Sequence, residues 1–144
     1  MAEHIAGRAR GVDKLDVIEE HLHSMSKVYP TLATGVSVLS GAVWTLGNFV
    51  ELIPVNTVAK DFDIHYFIVE SVTDDETYEI VFYNVETEIS RFRWSSQLAA
   101  GGREISIPFP TLMQIQKKNS QIQVKLASSG AAETAVISVI YHSY

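Results

Sequence analysis

The sequence predicts an all-β protein: an antiparallel two-sheet sandwich of about eight strands, with one α-helix at its N-terminus. Three observations predict it. First, residues 62–94 read FDIHYFIVESV, TDDET, YEIVFYN and ETEISRFRW, extended runs crowded with Val, Ile, Phe, Tyr and Trp and split by short polar breaks. Second, the apolar period is helical before about residue 31 and two-fold after it. Third, 47% hydrophobic and 19% charged residues mark the 144-residue chain as globular, long enough for one domain with a real core. A jelly roll is the commonest eight-strand sandwich. The immunoglobulin-like rival lacks support, because its Cys…Trp…Cys framework needs cysteines and the chain has none. The chain divides into an N-terminal arm and helix (1–30), suited to attachment and oligomerisation, and a β-sandwich domain (31–144).

Residues 1–12 hold Arg8 and Arg10 among Gly7 and Gly11. They read as a frayed end, or as an arm ordered on a neighbouring subunit whose carboxylates the arginines would meet. Residues 13–29 form the helix: Asp13 caps it, acidic residues fill the first turns, Lys27 lies near the end and Pro30 stops it. Leu15, Ile18, Leu22, Met25 and Tyr29 repeat at 3-4-3-4 spacing. That is a heptad seam, too short to stand alone, so it must pack on its own β-domain or on another subunit. His21 and His23 diverge around the helix and make a poor metal pair.

Eight strands follow. GVSVLSG alternates at Val36 and Val38. WTLGNFVELIP (44–54) is apolar on both faces and reads as a central strand, with Gly47 marking a bulge or close approach and Pro54 and Asn56 a turn. In 62–72, strict alternation puts Phe62, Ile64, Tyr66 and Ile68 on one face and Asp63, His65, Phe67 and Val69 on the other. Tyr78, Ile80 and Phe82 share a face of 77–83, while 88–94 turns Phe92 and Trp94 in and Arg91 and Arg93 out. EISIPFP (104–110), ended by two prolines, belongs at an edge or a corner. QIQVKLA (121–127) alternates most cleanly, with Ile122, Val124 and Leu126 inward. The last strand, 134–144, aligns Ala135, Ile137, Val139 and Tyr141.

The totals exclude several functions. A net charge of −6 repels a polyanion, so no direct nucleic-acid partner is expected. Without cysteine there is no disulfide and no thiolate metal site. No apolar run reaches the ~18 residues of a membrane span. MAEHIAGRAR lacks a signal-peptide core, so synthesis in the cytosol is expected.

The patterns that could carry chemistry are weak. Asp61, Asp63 and His65 alternate and could share a strand face around a divalent cation, although polar residues at a strand entry commonly look so. Asp74, Asp75 and Glu76 lack the rest of a calcium loop and read as a solvated turn. No Ser stands in a nucleophile elbow, and nothing marks Glu70, Glu79 or Glu88 as a glycosidase pair. Arg91 and Arg93 fit cross-strand pairing with Glu79 better than phosphate binding. Trp44 and Trp94 are candidates for stacking on a sugar, yet each lies in an apolar run where core packing accounts for it. The expectation is therefore a protein that is not an enzyme, with no cofactor and no metal.

The succession AVWTLGNFVELIP, DIHYFIVESV, TYEIVFY, EISRFRW and TAVISVIYHSY, spread over residues 35–144, resembles small structural proteins of tailed bacteriophages. Some members are jelly-roll cement or decoration proteins bound outside the capsid shell. The resemblance implies a virion protein on the capsid exterior, made in the bacterial host, whose partners are the major capsid protein or other virion proteins. It implies no site residues. On this reading the chain is a dimer or trimer, with Arg8 and Arg10 as arm anchors and Leu15, Ile18, Leu22 and Met25 at the interface. The alternative is a tail or baseplate component, or a carbohydrate-binding module acting in host attachment.

Overall fold

A computed structural model describes residues 26–97 and 106–144. The arm, and the helix as far as Met25, lie outside the described residues. So do Arg8, Arg10, Leu15, Ile18 and Leu22.

The described residues form nine strands and no helix: β1 (Lys27–Tyr29), β2 (Val36–Leu39), β3 (Val50–Ile53), β4 (Phe62–Val72), β5 (Thr77–Asn84), β6 (Thr87–Ser95), β7 (Ile107–Pro110), β8 (Ile122–Ser128) and β9 (Thr134–Ser143). All pairings between strands are antiparallel. One sheet, A, runs β1-β9-β4-β7, with β2 also paired to β9; the other, B, runs β3-β8-β5-β6. From β2 onward every connection except the β5–β6 hairpin crosses between the sheets. The resulting orders, β2-β9-β4-β7 against β3-β8-β5-β6, are those of an eight-strand jelly roll with β1 added. β1 and β2 share one edge of β9 end to end, β1 facing residues 139–141 and β2 residues 134–137.

The core lies between the sheets. Strand β8 sends Ile122, Val124 and Leu126 inward, all fully buried, as its alternation predicts. Phe67 sits at the centre, with the rings of Phe82, Phe92, Trp94 and Phe109 at 5.3–5.7 Å. Tyr78 stacks on Trp94 at 5.3 Å, and its hydroxyl donates to the Asp74 carbonyl at 2.7 Å. Burial pushes the pKa of this phenol up to about 12.

Three sequence expectations need correction. The helix predicted to run to Tyr29 is already strand at Lys27–Tyr29, because Val28 and Tyr29 find an open edge on β9. The long strand predicted over 44–54 shrinks to Val50–Ile53, and it lies at the edge of sheet B rather than in its middle. The cause is the passage from sheet A to sheet B. Residues 41–47 turn along the side of β8, where Trp44 N–H donates to Ser128 O (2.8 Å) and Gly47 N–H to Leu126 O (2.9 Å). At Gly47 the chain presses so close to the Leu39 carbonyl that a Cβ would lie 2.1 Å from its oxygen.

The third correction is β4. Its register against β9 shifts between Ile64 and Tyr66 and again between Val69 and Ser71. Each shift resets the alternation. Phe62, Ile64, Phe67, Val69 and Val72 therefore all face the core, while Tyr66 is exposed. Thr111, just beyond β7, serves the first bulge: its N–H donates to His65 O at 2.8 Å and its hydroxyl to Ile64 O.

Candidate functional site

The first bulge builds a polar cluster on the outer face of sheet A. Asp63 and His65 lie two apart, on the side of β4 opposite Phe62 and Ile64. His142 of β9 stands directly across from Asp63 in the ladder. His65 Nε2 approaches Asp63 Oδ1 to 2.9 Å, close enough for an ion pair when the imidazole is protonated, but without hydrogen-bond alignment. The other oxygen, Oδ2, accepts the Tyr144 hydroxyl at 3.1 Å. His142 meets His65 edge-on at 5.4 Å and Tyr144 at 4.7 Å between ring centroids, and is only 2% exposed. Partial burial, then the neighbouring Asp63, raises the pKa of the Tyr144 phenol. One carboxylate oxygen and two imidazole nitrogens gather within 4.8 Å of one another, a donor set suited to a divalent transition metal.

The outer face of sheet B carries a different arrangement. Glu79 on β5 accepts from Arg91 Nη1 (2.6 Å) and from Arg93 Nε and Nη2 (3.0 and 2.7 Å), both on β6. Arg91 also bonds Glu88 at 2.7 Å. The hydrogen bonds from Arg93, then those from Arg91, hold the Glu79 carboxyl below its usual range. Trp44 lies over this face with the Arg93 guanidinium 4.8 Å from its ring centre. Phe49 sits edge-on to Tyr83 at 4.8 Å, under the Lys125 ammonium at 4.0 Å. The pattern matches the cross-strand pairing expected for Arg91, Arg93 and Glu79.

At one end of the sandwich, Asp75, Glu76, Thr77, Ser95, Ser96, Gln97 and Ser129 line an open polar cleft of about 430 Å³. Ser129 Oγ donates to Glu76 at 2.5 Å, and Asp74, Glu76 and Glu133 cluster beside it. The flanking turns 73–77 and 128–134 contain no Lys or Arg.

Of the residues proposed for stacking, Trp44 is 47% exposed at a left-handed turn position (φ 53°), and not inside a strand. Trp94 is 5% exposed, packed on Tyr78 with its Nε1–H donating to Ser96 Oγ at 2.7 Å, so its ring offers no face to a ligand. Asp61, Asp63 and His65 do not gather as a trio. Asp61 instead accepts the backbone N–H of Lys118 at 3.0 Å, and His142 takes its place. Sequence reasoning missed His142 and Tyr144 because their proximity to Asp63 comes from the β4–β9 register, some eighty residues away along the chain. Among the described residues no helix is long and apolar enough to cross a membrane.

No family model matches the sequence, and no curated protein matches it. Among solved structures the chain is similar to a chain of the T13 IBDV viral particle, at 12% identity and a TM-score of 0.43, covering 83% of this chain and 31% of that one. It is also similar to the Clostridium thermocellum endo-1,4-β-D-xylanase 10B CBM22-1–GH10 modules complexed with xylohexaose, at 13% identity and a TM-score of 0.33, covering 76% and 22%. The chain thus spans under a third of the length of either neighbour. Likenesses this distant carry no argument about activity or partners.

Proposed function

We propose that this chain is a structural protein of a tailed-phage virion, a decoration or cement protein that binds the outside of the capsid shell and stabilises it. The sequence resemblance over residues 35–144 points that way, and one structural observation carries the docking role. Leu32, Trp44 and Val85 sit at exposed turns with φ of 51°, 53° and 45°. Left-handed backbone costs a non-glycine residue roughly 1–2 kcal/mol, and a β-branched one is an outlier there. Gly or Asn would fit each turn more cheaply, yet the chain places apolar side chains there, facing solvent. Backbone strain of this kind gathers at sites that bind or switch, and that is the ground for giving these turns a docking role. The three lie on different parts of the fold: the β1–β2 turn, the outer face of sheet B and the β5–β6 hairpin tip. Apolar contacts on several sides suit a protein wedged among neighbouring capsid subunits. The N-terminal seam and arm would add the grip between copies in a dimer or trimer.

The experiment is co-sedimentation of the full-length chain with capsids lacking it. Leu32→Asn combined with Val85→Asn is expected to leave the circular dichroism unchanged and to weaken capsid binding at least tenfold. Undiminished binding by that variant removes the docking role of these turns. A second reading, attachment to a host glycan, is favoured by one feature, the exposed Trp44 ring backed by Arg93. Glycan binding that disappears in Trp44→Ala with the fold intact, by a parent chain that does not bind capsids, selects it.

A further inference from the structure

We infer that Asp63, His65 and His142 form a site for one divalent transition-metal ion of the zinc class, with Tyr144 positioning the carboxylate. The inference is independent of where the protein sits on a virion. Its first support is the donor set: two imidazoles and one carboxylate bind zinc-class ions in preference to calcium or magnesium, which take oxygen ligands. Its second is geometry. Around an ion with bonds near 2.0–2.2 Å, neighbouring ligand atoms stand roughly 2.8–3.1 Å apart in an octahedral shell and roughly 3.3–3.6 Å apart in a tetrahedral one. His65 Nε2 and Asp63 Oδ1 are 2.9 Å apart and not aligned as donor and acceptor, although Oδ1 is buried. That spacing suits an ion pair, and equally one edge of a coordination shell. All three ligand atoms fall within 4.8 Å, so small side-chain rotations close the set.

Tyr144 holds the carboxylate from behind. Ligating carboxylates are ordinarily held by a hydrogen bond to their free oxygen. Tyr144 supplies that bond to Oδ2 at 3.1 Å. The ladder makes the platform rigid, since Asp63 and His142 are direct cross-strand partners in the strand pair β4–β9. The His65 side chain is 36% exposed, which gives an ion its way in and leaves a fourth position toward solvent. Bound there, the ion would pin the start of β4 to the end of β9.

The test uses the full-length chain, stripped with chelator and dialysed against Zn²⁺, with Co²⁺ as a coloured probe of the ligand set. One saturable site per chain is expected, with a rise in Tm on adding Zn²⁺. His65→Gln and Asp63→Asn, both at positions where the fold does not depend on the side chain for its core, are each expected to weaken binding at least tenfold. Tyr144→Phe should weaken it about 10-fold while retaining the Co²⁺ spectrum, as loss of an outer-shell partner does. Replacing His4, His21 and His23 together by Gln is expected to leave the affinity unchanged. Absence of a saturable site overturns the proposal. So does binding that survives both His65→Gln and Asp63→Asn, or that is lost with the three N-terminal histidines.

Discussion

Strands β8 and β4 are both interior strands, one in each sheet and each flanked on both sides, yet they are built on different plans. β8 lies between β3 and β5 and keeps one register against β5 along its whole length. Its inward side chains pack the core, and its outward Gln123 and Lys125 meet the polar outer face. β4 lies between β9 and β7 and changes register twice. Its core residues fall at 62, 64, 67, 69 and 72, a 2-3-2-3 spacing with no single period. The irregular strand also holds the polar cluster, and Thr111 satisfies its first bulge. A regular strand devotes one whole face to packing. A bulged one can change which side chains it offers along its length, which is why bulges gather beside sites.

The sharpest way to break this contrast is to mutate the two aromatic neighbours after the first bulge. Phe67 is fully buried at the centre of the aromatic cluster, and Phe67→Ala is expected to cost about 3–5 kcal/mol. Tyr66 is 43% exposed, and Tyr66→Ala should cost less than about 1 kcal/mol. Urea denaturation of the two variants measures both. Strict alternation from Phe62 demands the reverse order, so a larger loss at Tyr66 removes the bulge from the account.

The same contrast explains how much the sequence discloses. Wherever a stretch of strand keeps its register, residue types and period suffice: the faces of β5, of β6 beyond its one shift at Ile89, and of β8 follow from Tyr78, Ile80 and Phe82, from Phe92 and Trp94, and from Ile122, Val124 and Leu126. The two-sheet sandwich follows from the number and spacing of such runs. The bulge after Ile64 is set by long-range pairing to β9 and by Thr111, neither visible in the local run FDIHYF. Residues 44–49 look strand-like because they are apolar, but they cross between sheets around Gly47. The Asp63–His65 half of the cluster was legible as an alternate-position pair. Its His142–Tyr144 half was not, since only the ladder brings β9 beside it.

The β5–β6 hairpin sharpens the contrast at lower cost. Its tip, Val85–Glu86, has both residues at positive φ (45° and 67°), the geometry that favours Asn-Gly. The Glu86 N–H still finds a partner, Gln123 Oε1 at 3.0 Å. Val85→Asn with Glu86→Gly is expected to stabilise the fold by about 1–2 kcal/mol, because it relieves left-handed strain without removing that backbone donor. A thermal melt decides: an unchanged or lower Tm shows that this turn stores no strain, and then its apolar tip needs no functional explanation.

The smallest effect belongs to the regular sheet's outer face. Glu79 joins Arg91 and Arg93, but those partners are 45% and 60% exposed, so solvent screens the pairs. Glu79→Gln is expected to cost no more than about 1 kcal/mol at neutral pH. Its pH dependence has a definite sign. The carboxyl titrates below its ordinary value near 4.5 when folded, chiefly through Arg93, so it contributes stability above that value. That contribution fades as pH falls from there through the lower folded value. Urea midpoints for Glu79→Gln and the parent should therefore differ at pH 7 and converge in acid. A gap that stays constant down to the acid limit would mean that Glu79 acts through packing, and the ladder of charges on sheet B would then be incidental to its stability.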